Sequence, residues 1–375
     1  MGRQTHHQPG GRSVSRNRSR EAPSEWSPRN AAERYIKHRA SDTTESSRSG
    51  WWYRLKLFVE WCEEVGLETV SDIQPLDIDE YHDIRAEAVA PVTLEGEMAT
   101  LQEYLRYLEG LDAVADDLSE AVHVPNLDAS QRSNDVKLST PEAMAMLQYF
   151  RETPAVRASR KHVFLELVWF TGARQSGLRA LDLRDVHLDD AFVWFKHRPS
   201  EGTGLKNNLD GERPVSLPSG VVDVLREYIH ENRNSETDVH GRAPLFTTLQ
   251  GRPSGDSVRK WCYLATLPCL HSDCPHGKDR ESCDWTGYKY ASKCPSTRSP
   301  HRIRTGSITY QLNIGFPTEV VANRVNASPK TIRDHYDKAD RQERRRRQRR
   351  RMESDRRGYV QQMDFDYEND IGSDD

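Results

Sequence analysis

Between residues 26 and 123, apolar residues return every three or four positions. Trp52, Leu55, Phe58, Val59 and Cys62 make one such stripe, and Leu101, Tyr104, Leu105 and Leu108 make another. That period gathers them on one face of a helix. Residues 50–62 therefore predict one amphipathic helix. Residues 70–81, interrupted by Pro75, predict a turn and a helix start. Four or five short helices over this stretch predict a small bundle.

Residues 124–137 lose the periodicity and read as a linker. A helix then opens with Thr140 as N-cap, Pro141 at the first helical position and Glu142 in the first turn. Residues 162–170 are apolar nearly throughout, which predicts a buried helix ending at Gly172. Residues 191–197 and 213–218 are strand-like and flank a polar loop at 199–212, a β-hairpin pattern. Further helices run to about Asp340. The fold class is mainly α with a small β-hairpin or sheet.

At 375 residues the chain predicts two or three domains. It contains no run of about 18 apolar residues, so no membrane span is expected. The basic N-terminus lacks an apolar segment and does not read as a secretory signal. A cytoplasmic, nucleoid-associated protein is expected. Its charge is unevenly spread. Residues 1–25 carry five Arg against two Glu and have the composition of a disordered segment. Residues 26–137 carry 11 Lys+Arg against 23 Asp+Glu, residues 138–340 carry 28 against 24, and residues 341–357 hold ten Arg against three acids. Residues 358–375 hold six acids and no base. An acidic N-terminal half would repel DNA at low salt, but at about 1 M salt the Debye length is only about 3 Å. A high-salt, halophilic cytoplasm is therefore expected.

The chemistry lies further on. His301 and Arg304 stand three apart on one helix face, and Tyr336 follows 32 residues after Arg304. Upstream is Thr171-Gly172-Ala173-Arg174. Arginine grips two phosphate oxygens at once and stays charged, histidine moves protons near neutrality, and a tyrosine hydroxyl can attack phosphorus. In order and spacing these blocks resemble the tyrosine recombinase (phage integrase) family, from about Ser139 to Lys338. The resemblance implies a site-specific DNA recombinase or integrase of a mobile element that cuts and rejoins double-stranded DNA through a 3′-phosphotyrosyl intermediate, as a homo-tetramer on paired sites. It assigns Tyr336 as nucleophile, Arg174 and Arg304 to the phosphate, His301 to proton transfer, and a hairpin lysine to the leaving 5′ oxygen. Lys206 is the candidate for that lysine and Lys196 the competitor. Two positions depart from the family pattern. Gly177 stands where an acidic residue is usual, and Asn326 or Ala327 where His or Trp is usual. Asn326 could donate a hydrogen bond to phosphate but cannot transfer protons.

The resulting map has a disordered basic segment at 1–25 and a helical core-binding, DNA-binding domain at 26–125. A linker at 126–138 leads to the catalytic domain at 139–340 and an Arg-rich then acidic tail at 341–375. By resemblance, the first two folded domains clamp around the duplex. No cofactor is required for catalysis. A Cys/His insertion at about 265–297 carries Cys269, Cys274, Cys283 and Cys294 with His276 as substitute, a set suited to a structural zinc. Two alternatives stand beside this reading. One is a type IB topoisomerase-like enzyme. The other is a helix-turn-helix regulator, because residues 317–336 place Ser328 as a cap before Pro329 and leave Lys330, Thr331 and Arg333 to face a groove.

Overall fold

The computed structural model describes residues 22–41, 43, 45–128, 131, 136–335 and 341–355. The chain divides into two compact units, Met1–Asn134 and Asp135–Asp375. Among the described residues no helix is long and apolar enough to cross a membrane.

The first unit is a bundle of α1 (Pro28–His38), α2 (Glu45–Val65), α3 (Pro75–Ala88) and α4 (Pro91–Glu109). The two stripes read from the sequence meet in its core. Leu55, Phe58, Val59 and Cys62 of α2 are buried with Leu101, Tyr104, Leu105 and Leu108 of α4. Three of the four helices have proline in the first turn, where the missing N–H costs nothing. The acidic side chains lie mainly outside this core. Glu97 is an exception, buried and gripped by both arms of the Arg85 guanidinium at 2.8 and 3.0 Å.

The second unit is built around α6 (Arg160–Thr171), which follows α5 (Thr140–Glu152). Every residue from His162 to Trp169 is buried. Two of those are ionisable, and each has partners. The Ala158 N–H donates to His162 Nδ1 at 3.0 Å, so the imidazole proton sits on Nε2, 3.1 Å from Glu166. Arg151 then forks onto Glu166 at 2.7 and 2.9 Å. Ser139, rather than Thr140, is the N-cap of α5. Its hydroxyl accepts from the Glu142 N–H while Glu142 accepts from the Ser139 N–H, and this reciprocal pair outcompetes a cap one residue later.

After α6 come α7 (Gln175–Ala180) and a three-stranded antiparallel sheet in the order β1 (Val186–His187), β2 (Phe192–Phe195) and β3 (Arg213–Ser216). The expected hairpin is β2–β3, with Val193 opposite Val215 and Phe195 opposite Arg213. Two-residue β1 is too short to show alternation in the sequence. The end of α7 is pinned by a buried charge cluster. Arg252 binds Asp182 and Asp238, Arg242 binds Asp238, and Arg198 binds Asp185. Desolvation works against the Asp238 carboxylate. The backbone N–H groups of Arg242 and His240 and the Arg252 guanidinium outweigh it, holding the pKa down at about 2.

The unit continues with α8 (Ser219–Glu227), α9 (Gly255–Ala265), α10 (Pro300–Asn313), α11 (Thr318–Val325), α12 (Pro329–His335) and α13 (Arg341–Asp355). Residues 266–299 between α9 and α10 form single turns of 3₁₀ helix and loop. A second small core of Ile308, Leu312, Val321, Ala322, Val325 and Ile332 locks α10, α11 and α12 together.

Removing one partner of a buried ion pair leaves the other uncompensated, at a cost of about 3–5 kcal/mol. Glu166→Ala should therefore lower the calorimetric melting temperature of the second unit by about 10 °C, taking 2–4 °C per kcal/mol. Arg29→Ala, which breaks an exposed pair with Glu63, should move melting of the first unit by less than about 3 °C.

Candidate active site

The site grows from the C-terminal end of α11. The last carbonyls of a helix have no partner inside it and carry the negative end of its dipole. Here three consecutive ones each accept from a guanidinium. Arg213 Nε donates to the Arg324 carbonyl at 2.7 Å, Arg304 Nη1 to Val325 at 2.7 Å, and Arg174 Nη1 to Asn326 at 2.5 Å. The donors come from β3, α10 and the N-cap of α7, so one helix end gathers three distant parts of the chain. Asn326 closes α11 in the left-handed conformation, φ +55° and ψ +62°, which asparagine tolerates better than most residues.

Arg304 is 2% exposed and also donates to the Gly172 carbonyl. Gly172 is the C-cap of α6 at φ +62°, and a Cβ there would meet Val325 Cγ1 at 2.7 Å. Both the backbone angle and the space require glycine. A fourth guanidinium, Arg324, donates to Gln311 at 3.1 Å and to the Phe170 carbonyl at 2.9 Å. Gln311 in turn donates to Ser307 at 3.1 Å, and Ser307 to the Trp169 carbonyl, so α10 is tied to the end of α6.

Electrostatics mark this cluster as strongly positive. Burial first, then repulsion from Arg304, Arg174 and Arg324, lowers the Arg213 pKa to about 9. The guanidinium therefore stays charged at neutral pH. It lies over the Phe195 ring at 4.4 Å, where a cation is favoured. His301 stands at the surface of the first turn of α10. Partial desolvation, then Arg304, Arg302 and Arg174, push its pKa below the ordinary 6.5. Its neutral form is thus favoured near pH 7, as a proton acceptor must be.

Of the residues singled out in the sequence, the structure brings Arg174, Arg304, His301 and Asn326 to one place. Lys206 lies in the β2–β3 loop with its side chain exposed, and its carbonyl accepts from Asn326 Nδ2 at 2.7 Å. Lys196 is committed elsewhere, 3.3 Å from Glu212 and 4.1 Å over the Trp194 ring. The Asn326 amide is turned toward the Lys206 loop. Nδ2 is used on Lys206, and Oδ1 accepts from Asn207 at 2.8 Å. Tyr336 lies outside the described residues. Gly177 is buried, and a Cβ there would sit 3.4 Å from the Phe195 ring, an ordinary contact.

Sequence reasoning missed Arg213 and Arg324. Neither stands in a motif-like spacing, and among 54 basic residues nothing marks them until the fold places them. In the insertion, Cys269, Cys274, Cys283 and Cys294 are free thiols. Burial, opposed by Arg280, raises the Cys269 pKa, and Cys274 and Cys294 add to the rise. Yet among the described residues no group of three or more His, Cys, Asp or Glu is arranged to hold a metal. The residues as placed do not form a zinc ligand set. His276 instead lies 3.0 Å from the Ser296 hydroxyl.

If the arginines set the His301 titration, removing one should raise it. Arg304→Gln and Arg302→Gln should each move the His301 pKa, followed by ¹⁵N NMR, upward toward 6.5. An unchanged value in both variants would mean that desolvation alone is responsible.

No family model matches the chain. It is 25% identical over 214 residues to tyrosine recombinase XerD of Bifidobacterium longum, covering 52% of this chain and 62% of that protein. The chain spans 61–68% of the length of the curated relatives it matches. Among solved structures, the N-terminal domain of a phage integrase/site-specific recombinase from Haloarcula marismortui is 45% identical. That match covers 26% of this chain and 96% of that one, with a TM-score of 0.26. The Tn1549 transposon integrase, solved in complex with a circular intermediate DNA, aligns with a TM-score of 0.60 at 15% identity. It covers 86% of this chain and 99% of that one, and the shared feature is the fold. Helical bundle, small antiparallel sheet and curated relatives agree: the chain is similar in sequence to tyrosine recombinases and shares the fold of the integrases.

Proposed function

We propose that this protein is a site-specific DNA recombinase or integrase of a mobile element. The observation that carries the reading is the set of three guanidiniums converging on the end of α11, one loop before α12 and the approach to Tyr336. A clustered positive charge of this kind favours a phosphate whose negative charge grows during attack. In the proposed reaction the Tyr336 oxygen bonds to phosphorus as its proton leaves, with His301 assisting. The bond to the 5′ oxygen breaks, and Lys206 supplies the proton that the 5′ oxygen takes up. The product is a 3′-phosphotyrosyl link, and the reverse attack by a 5′ hydroxyl rejoins DNA without ATP. A tetramer on paired duplex sites in the cytoplasm belongs to the same proposal.

The acidic 26–137 segment, 11 bases against 23 acids, favours activity at molar salt, where its repulsion for DNA is screened. Covalent trapping tests all of this. Purified protein is incubated with nicked duplexes tiled from DNA flanking its own gene, in 0.1 and 2 M KCl. An SDS-resistant protein–DNA band is expected, stronger in 2 M KCl and absent in Tyr336→Phe. Binding without any band would favour the helix-turn-helix regulator. Relaxation of plasmids lacking paired sites would favour the topoisomerase-like enzyme.

For the insertion we propose a structural zinc held by Cys269, Cys274, Cys283 and Cys294, which would require this loop to close further than it does here. Four free thiols within 26 residues support it. Metal analysis should find about one zinc per chain, released by a thiol-modifying reagent. A metal-free protein with unchanged thermal stability would sink the idea.

A further inference from the structure

Asn326 does two things that no phosphate contact explains. Its backbone carbonyl receives Arg174, and its side chain bonds through both nitrogen and oxygen to the loop that carries Lys206. That loop needs holding. Asn207 and Asn208 both have positive φ, +70° and +52°, a sharp left-handed turn that asparagine adopts and that fixes the course of the loop only if it is held. The Asn326 amide meets the loop at this turn from both sides, donating to the Lys206 carbonyl and accepting from the Asn207 amide. Across the turn, a Cβ on Gly211 would lie 2.6 Å from the Lys206 carbonyl oxygen and 2.7 Å from Asn326 Nδ2. The loop closes on Asn326 tightly enough that only glycine fits.

The Lys206 side chain itself is exposed, so its position is set chiefly by its backbone. On the reading that Lys206 protonates the leaving oxygen, we propose that Asn326 is a positioning residue for Lys206. It joins the lysine loop to the same helix end that orients the phosphate-binding arginines. Asn326 then influences departure of the 5′ oxygen and not charge on the non-bridging oxygens. Three residues after it α12 begins, so this one amide ties the lysine loop to the element leading toward the nucleophile.

The test uses the full-length protein and the duplex found by trapping, made in two forms. One has the natural scissile phosphate, and the other has sulfur in place of the bridging 5′ oxygen. A thiol leaves as its anion far more readily than an alcohol, so the sulfur substrate does not need the lysine proton. Cleavage of the natural substrate should fall about 10²-fold in Asn326→Ala, the low end of what a general acid contributes. On the sulfur substrate the same variant should recover to within about fivefold of wild type, as Lys206→Ala should. Gly211→Ala, which forces the loop off Asn326 without altering that residue, should give the same rescue.

An Asn326→Ala defect of equal size on both substrates would overturn the proposal and place the amide at the phosphate. So would full activity of the folded variant on the natural phosphate. Wild-type protein forming no adduct on either substrate would instead fail the recombinase reading itself, and the inference with it.

Discussion

The arrangement depends on a shortage: three carbonyls at the end of α11 that the helix cannot satisfy itself. Arg213, Arg304 and Arg174 satisfy them. A guanidinium fastened to a fixed carbonyl has its plane and its charge oriented by the helix end. The dipole of α11 adds attraction for the cations at its C-terminus. This explains how several like charges can share a small volume in the folded protein. The carbonyls offset part of the repulsion; burial first, and then the repulsion that remains, lowers the pKa values of Arg213 and His301. A phosphate in the cluster would remove the remainder.

The supporting structure is arranged around the same point. Gly172 ends α6 so that its own carbonyl reaches Arg304 and no side chain blocks Val325. The Ser307–Gln311–Arg324 chain fastens α10 to the end of α6, and the core of Ile308, Leu312, Val321 and Val325 fixes the angle between α10 and α11. The Asp182–Arg252–Asp238 cluster holds the far end of the short helix that Arg174 caps. Buried polar groups with full sets of partners specify one arrangement, because any slip strands a donor or a charge. The positions departing from the family pattern fit this frame. Gly177 packs beside the Phe195 ring, and Asn326 exchanges a proton-transferring side chain for one that fastens the lysine loop.

Much of this was legible in the chain. The period of Leu55, Phe58, Val59 and Cys62 marked α2, because a helix buried on one face must repeat its apolar residues at that period. The apolar run at 162–170 marked the central helix, and two strand-like segments flanking a polar loop marked the hairpin. Gly172 was readable as a helix end, since a left-handed cap selects glycine. Arg174, His301 and Arg304 were readable as a group because their order and spacing form a pattern on their own. The Ser139 cap was displaced by one residue, since both Ser139 and Thr140 can cap and only the reciprocal bond to Glu142 decides between them.

Sequence alone therefore determined the elements and the fold class, because those follow from local periodicity and local stereochemistry, while the residues for phosphate chemistry were legible through their resemblance to a family pattern. What tertiary structure decided was partnership. Arg213 became part of the site only when β3 came beside the end of α11. Asn326 changed role, from an amide offered to phosphate to a clasp on the Lys206 loop, because residues about 120 positions apart met there. Lys196 was separated from Lys206 by an ion pair with Glu212 that only the folded hairpin creates. Such contacts leave no periodic trace, since each is one pairing between distant residues, and the closing of the chain on itself selects it.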